Sequence, residues 1–195
     1  MEESQNQLLL PSWFARSAPE LSPLLLGKLL CRTTENGVLR LRIVETECYF
    51  GESDSACHAH RGRTPRTDVM YASGGRAYVY LCYGIHSLLN VVTGEEGHPE
   101  AVLIRGVEGA IGPGRVTKRL SIDRSLNRAL LTPENGLWIE DDGTVLPFVT
   151  DRRVGIDYAN EVDRMRPWRF IAVAEEGNNM KKENEEEICR GLERS

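Results

Sequence analysis

The stretch "VLRLRIVETECYF", Val38 to Phe50, decides how the chain is read. The Asn36-Gly37 pair just before it is a turn signal that opens a hairpin strand, and apolar residues then recur at period two. On that period Leu39, Leu41, Ile43, Glu45, Glu47 and Tyr49 share one face, with Val44 and Cys48 on the other. A strand this apolar buries one side, so its two carboxylates need a reason to be there. The residues leave two readings open. Both acids lie on a solvated face or pair with Arg40 and Arg42, or at least one faces a cavity as a general base that polarises a water. Tyr49 would share that cavity wall.

Upstream, "SPLLLGKLLCR" (22–32) has a serine cap, a proline in the first turn and leucines at 24, 25, 29 and 30, which predicts a helix. Downstream comes a loop of polar and small residues, "GESDSACHAHRGRTPRTD". Two apolar runs, 77–82 and 88–93, then bracket Tyr83-Gly84 in a hairpin pattern. "AVLIRGVE" (101–108) reads as a strand, and "GPGRVTKRLSI" (112–122) as a tight turn opening a short basic helix. "GLWIEDDG" and "RVGIDYA" read as short strands or turns, and "PWRFIAVA" as a final strand. Hairpins outnumber helical crossovers. The expected class is α+β: a single domain on a curved, largely antiparallel sheet, with flanking helices and a protruding β-hairpin. Residues 1–12 are set off as an N-terminal arm, 13–173 as the domain, and 174–195 as a charged, apolar-poor, flexible tail.

The totals bound the function. The 195 residues suffice for one domain with a real core. At 41% hydrophobic and 27% charged residues, the chain has an ordinary globular composition. No run of 18 apolar residues is present to cross a membrane, and "MEESQNQLLLPSWFARS" has acids where a secretory signal has bases. A cytoplasmic protein is expected. Five cysteines, an odd number with no C-x-x-C pair, argue against a disulfide framework and a zinc knuckle. The net charge of −5 speaks against a nucleic-acid partner, but Arg61 to Arg128 holds ten Lys/Arg against six Asp/Glu. From Ala174 onward there are seven acids and four bases. Local field, more than total charge, decides what a face attracts.

Several short motifs could carry chemistry. "CHAH" places His58 and His60 two residues apart, with Glu47 a conceivable third metal ligand, but no H-E-x-x-H helix or comparable spacing supports a metal. "RGRTPR" holds Arg61, Arg63 and Arg66 in a turning loop: a solvated basic loop, or guanidinium forks for phosphate. "GPGRVTKR" sets Arg115, Lys118 and Arg119 behind glycines at a helix start, an anion-binding arrangement. Tyr83 and Ile85 sit at a hairpin bend. Either they fold back onto the core, or they form a contact surface such as a wedge that unstacks a base step in a minor groove.

In this order, "IVETECYFGESDSACHAHRGRTPRT", "AYVYLCYGIHSLLNVV", "AVLIRGVE", "GPGRVTKRL" and "RVGIDYA" resemble the alkyladenine (3-methyladenine) DNA glycosylase family, in its bacterial form, from about Trp13 to Val173. The resemblance implies a monofunctional glycosylase of base-excision repair. It would flip alkylated or deaminated purines out of duplex DNA and hydrolyse the N-glycosidic bond, leaving an abasic site without nicking the strand. Glu47 matches the water-activating carboxylate, and Arg105 and the Val154 carbonyl match groups that position that water. Tyr49, His58 and Tyr80 match the walls around the flipped base, and Asn90 the residue that crowds the amino group of normal guanine. Tyr83, supported by Ile85, matches the side chain that fills the vacated gap. Arg63, Arg66, Arg115 and Lys118 are the expected phosphate contacts. Cys48 stands where relatives have Ala or Gly, and is expected on the opposite strand face. No cofactor or metal is implied, and the partner is damaged duplex DNA bound by a monomer working at the nucleoid. Two other classes stay open: a damage-binding protein without catalysis, and a metal-dependent hydrolase using His58 and His60.

Overall fold

The stretch Val38–Phe50 lies in the longest strand, and the rest of the sheet is hung on it. The structure, a computed structural model, describes residues 6–173; the expected tail lies outside the described residues. In chain order the strands are β1 (Gln7–Leu8), β2 (Leu29–Thr34), β3 (Gly37–Phe50), β4 (Ala77–Cys82), β5 (His86–Thr93), β6 (Glu100–Val107), β7 (Ala110–Ile111), β8 (Leu137–Asp141), β9 (Phe148–Asp151) and β10 (Arg169–Ala172). The helices are α1 (Ala18–Leu24), α2 (Pro113–Arg119) and α3 (Glu161–Met165). Every strand pairing is antiparallel, along the path β1-β8-β2-β3-β6-β5-β4, with β7 added to β6, and β10 pairing both β3 and β9. The class is α+β, as the sequence leads one to expect. On one edge β3 is long enough for two partners, β2 along Gly37–Arg42 and β10 along Glu45–Glu47. Its other edge pairs with β6. Glu47 therefore sits mid-sheet, between Arg169 and Leu103.

One face of the sheet packs the main core, and the other builds a smaller cluster. The core takes Leu21 and Leu25 near α1, Cys48 of β3, Val79, Leu89, Val91, Val102 and Ile104 of the central strands, and Val116 and Leu120 of the α2 region. The opposite face gathers Tyr78, Val92 and Ala101 with Val69, Met70 and Tyr71, and Tyr49 and Tyr80 pack on it. Cys48 does face away from Glu47 and Tyr49, into the core.

Two sequence expectations need correction. The helix predicted over 22–32 is Ala18–Leu24, and Leu29 and Leu30 belong to β2. The same serine-proline signal occurs one turn earlier, in Ser17-Ala18-Pro19-Glu20, where it is stronger. Both the backbone N–H and the hydroxyl of Ser17 donate to Glu20, at 3.0 and 2.6 Å, a capping box that fixes the start. Gly27, at φ +87°, then turns the chain out of the helix.

The second correction concerns the unbroken alternation read across Leu39–Tyr49. Leu39, Leu41 and Ile43 pack on the main core, but so do Cys48 and Phe50, two residues of opposite parity. The β3–β6 register runs Ile43↔Val107, Glu45↔Gly106, Thr46↔Ile104, so Val44 and Arg105 each lack an opposite partner. One extra residue on each strand reverses which side chains face the core while leaving the pairing beyond it in step. Only that reversal turns Glu45, Glu47 and Tyr49 away from the core. Within residues 6–12 of the segment set off as an arm, β1 pairs with β8, and Leu9 is buried in the core. No helix among the described residues is long and apolar enough to cross a membrane.

Gly27 and Gly37 both have positive φ, but a Cβ on Gly27 would lie 2.6 Å from the Thr144 carbonyl oxygen, whereas one on Gly37 meets nothing within 4 Å. Gly37→Ala is therefore expected to cost about 1 kcal/mol of backbone strain. Gly27→Ala should cost about 3 kcal/mol, because overpacking adds to the same strain. Urea midpoints at unchanged slope measure the difference.

Candidate active site

A cavity of about 490 Å³ opens on the face opposite the core, within the size range of small-molecule sites. Its wall is aromatic. Tyr78 and Tyr80, alternate residues of β4, point the same way with ring centroids 5.4 Å apart. The His58 ring meets Tyr80 edge-on at 4.6 Å, and Tyr49 and Tyr158 close the wall from β3 and the 152–160 loop. Asn90 lines the floor, fixed by its amide N–H donating to the Tyr78 carbonyl at 3.2 Å. The four expected base-binding residues, Tyr49, His58, Tyr80 and Asn90, thus share one cavity. Tyr78 was not among the expected base-binding residues, although its parity with Tyr80 was there to be read.

His58 is held neutral. Burial, reinforced by the nearby Arg66 charge, pushes its pKa down to about 4. Its Nε2 lies 3.3 Å from an Arg66 nitrogen, and its Nδ1 lies 2.9 Å from the Tyr78 hydroxyl. A guanidinium can only donate, so Nε2 accepts, and the ring proton on Nδ1 is donated to the Tyr78 oxygen. The Tyr78 hydroxyl hydrogen is then free for another acceptor. Both nitrogens of His58 are engaged, and His60 Nδ1 turns instead to the Glu52 carbonyl at 2.8 Å. Among the described residues no three His, Cys, Asp or Glu side chains are grouped to hold a metal.

Glu47 is completely buried. Its carboxylate lies one layer behind the cavity surface, and the groups that hold it form that surface. One oxygen accepts from the Val154 backbone N–H at 2.8 Å and lies 3.4 Å from Arg105 Nη1; the other accepts from the Tyr49 hydroxyl at 2.9 Å. Tyr49, Arg105 and Val154 all line the cavity. Burial raises the Glu47 pKa above the ordinary carboxylate value, against the opposing pull of Arg105, the Val154 N–H and the Tyr49 hydroxyl. The sequence reading used the Val154 carbonyl; the contact that the structure makes to Glu47 is that residue's N–H.

Behind Tyr49 stands a residue the sequence did not disclose. Arg153 is buried and bidentate to Asp54 at 2.5 and 2.8 Å, and its guanidinium lies 4.9 Å from the Tyr49 ring centroid and 5.1 Å from that of Trp168. A buried guanidinium that is bidentate on a carboxylate and stacked on two rings holds a rigid place. It anchors both Tyr49 and the peptide that presents the Val154 N–H. No short-range pattern could have revealed it, because Asp54 is 99 residues away.

The hairpin tip is bare. Tyr83 is 92% exposed and Ile85 74%. Tyr83 also has φ +50°, followed by Gly84 at +72°, a conformation that costs a non-glycine residue about 1–2 kcal/mol. The expected phosphate contacts fall in different places. Arg66 lies at the cavity mouth, 5.0 Å from the Tyr80 ring centroid. Arg63 pairs with Asp68 at 2.7 Å, and Asp68 also holds Arg128. Arg115 and Lys118 are exposed on α2, beyond the cavity lining.

With this geometry established, comparison with known proteins is direct. The family description methylpurine-DNA glycosylase (MPG) matches residues 12–111 and 109–176. A protein of Psychrobacter cryohalolentis is 46% identical over 187 residues, covering 80% of this chain and 88% of that protein. One from Methanocella arvoryzae is 43% identical over 178 residues, covering 81% and 88%, and one from Borreliella afzelii 42% over 180, covering 85% and 95%. All three carry the name "Putative 3-methyladenine DNA glycosylase". The chain belongs to the methylpurine-DNA glycosylase family.

The tautomer and charge of His58 can be checked directly. Imidazole nitrogen shifts are expected to show a neutral Nδ1–H ring at pH 6, titrating near pH 4. Arg66→Met removes a neighbouring positive charge and should move that midpoint upward.

Proposed function

We propose that this protein is a DNA-3-methyladenine glycosylase of base-excision repair, acting on damaged duplex DNA at the nucleoid. The observation that carries the reading is one desolvated carboxylate, Glu47, set behind a cavity walled by tyrosines and a neutral imidazole, with a bare tyrosine on the hairpin beside it. A base in a duplex hides its glycosidic carbon, so the nucleotide must rotate out, at a cost of roughly a few kcal/mol. Tyr83, with Ile85, enters the gap and restacks it. Contacts with Tyr49, Tyr80 and His58 return about 1–3 kcal/mol each. These terms nearly balance, so poorly paired, damaged bases rotate out most readily. Arg66 at the mouth and Arg63, Arg115 and Lys118 outside it hold the distorted backbone through phosphate.

Bond cleavage passes through a sugar with oxocarbenium character. Glu47 accepts a proton from water as the water oxygen bonds to C1′ and the C1′–N electron pair leaves with the base. A purine methylated on a ring nitrogen is already cationic and departs neutral, so no acid is needed. Hypoxanthine or ethenoadenine, being neutral, leaves once protonated. Arg105 and the Val154 peptide place the water, and Asn90 crowds the amino group of guanine. No amine nucleophile is part of this arrangement, so an abasic sugar on an intact strand is the product. Aromatic faces also favour a cationic base over a neutral one, which puts 3-methyladenine and 7-methylguanine ahead of hypoxanthine and ethenoadenine. Without catalysis, a damage-binding protein would have no use for a buried carboxylate at that wall.

Single-turnover release of free base from methylated duplex tests the reading. Glu47→Gln is expected to slow release about 10²–10⁴-fold. Its melting temperature should hold or rise, because a carboxyl whose folded pKa is raised destabilises the fold when ionised at neutral pH. Tyr83→Asn removes no buried contact and suits the left-handed turn, so stability should hold while base extrusion falls. Wild-type rates in Glu47→Gln would falsify the assignment.

A further inference from the structure

The Glu45-Thr46-Glu47 segment of β3 contains two carboxylates, and the proposed chemistry uses one. Glu45 is 5% exposed and is bonded to Arg105, which lines the cavity. A single oxygen of Glu45 accepts from Arg105 Nε at 3.0 Å and from Arg169 Nη1 at 3.2 Å. Arg169 continues to Asp151. Arg105 is therefore shared: its Nε is hydrogen-bonded to Glu45, while its Nη1 stands 3.4 Å from Glu47, beyond a good hydrogen bond.

We infer that Glu45 is a positioning residue for this reaction: it holds Arg105 back from Glu47 and so leaves an acceptor site of the buried catalytic carboxylate unfilled by the guanidinium. The inference rests on the functional reading above. Its physical basis is competition for one guanidinium. A free Arg105 would close on Glu47 with the short, charge-assisted geometry typical of such pairs, occupying the acceptor sites that water needs and weakening the base. The local backbone is built for the restraint. The extra residue on each strand turns Glu45 toward Arg105, and Gly106 opposite leaves the space: a Cβ there would lie 3.0 Å from the Glu45 Cβ and 3.4 Å from its Oε2.

The charged and titratable groups around Glu47 come from four directions. β3 supplies Glu45 and Tyr49, β6 supplies Arg105, the segment after β9 supplies Arg153 together with the Val154 N–H, and β10 sets Arg169 in register opposite. Removing the Glu45 charge subtracts a negative neighbour and releases Arg105, while Arg169 stays paired with Asp151. Both changes favour ionised Glu47, so the acid limb of the pH–rate profile moves down, and the weaker base lowers the plateau.

The test is single-turnover release from methylated duplex as a function of pH, because a cationic base leaves without an acid; His58, titrating near pH 4, contributes to wild type and variant alike, so the difference between their acid limbs reports the carboxylate. In Glu45→Gln the limb is expected about one pH unit lower, with a plateau about tenfold slower. Gly106→Ala crowds Glu45 without removing its charge, and should shift the limb in the same direction by less; it also serves if Glu45→Gln does not fold. An unmoved limb in the folded variants, with only a lower melting temperature, would mean that Glu45 merely braces the sheet. Loss at every pH as complete as in Glu47→Gln would make Glu45 itself the base. Either result overturns the inference while Glu47→Gln stays inactive. Activity in Glu47→Gln would instead remove the functional reading beneath it.

Discussion

An ionisable carboxyl with no exposed surface, placed mid-sheet, constrains everything around it. Taking a charge out of water costs more than most single contacts return, so Glu47 is tolerable only because three groups face it. These are a peptide N–H, a phenol hydroxyl and a guanidinium, each from a different element. Each must itself be fixed. Arg153, paired with Asp54 and stacked between Tyr49 and Trp168, fixes the first two, and Glu45 fixes the third. The three strands β10, β3 and β6 fix the carboxyl. The cavity wall is thus braced from behind.

The same constraint explains the sheet's irregular register. A regular β3–β6 ladder would continue the parity of Leu39, Leu41 and Ile43 and bury Glu45 and Glu47 in the main core without partners. One extra residue on each strand, Val44 and Arg105, reverses the faces and delivers Arg105 to the same wall. Core residues and cavity residues then come from one pair of strands. The hairpin tip is the opposite case. Tyr83 has almost no packing and a backbone conformation that glycine would adopt more readily, and strain of this kind persists where surroundings and use require it.

Much of this was legible in the chain. The two carboxylates in an apolar strand, the tyrosine at a bend and the order of the motifs pointed to the fold class and to eight of the cavity's lining residues. The helix start was misplaced because two serine-proline pairs compete within six residues, and only Glu20 distinguishes them. The reversal within β3 was hidden because a bulge is a property of two strands, and β6 begins fifty residues after β3 ends. Arg153 and the restraint on Arg105 were invisible for the same reason: Asp54 and Arg169 reach their partners only through the tertiary fold. Arg63 read as a free phosphate ligand because nothing local announces that Asp68, five residues on, already holds it.

The central claim is spatial: a base rotated out of the duplex enters the aromatic cavity, and its sugar carbon meets a water held at Glu47. The most direct measurement is a crystal structure of the Glu47→Gln protein with a duplex carrying one ethenoadenine. The account predicts the lesion against Tyr49, His58 and Tyr80, the Tyr83 ring in the vacated stack, and a water at residue 47 about 3–3.5 Å from C1′. A lesion still stacked in the helix, or a cavity left empty with the hairpin away from the groove, would contradict it.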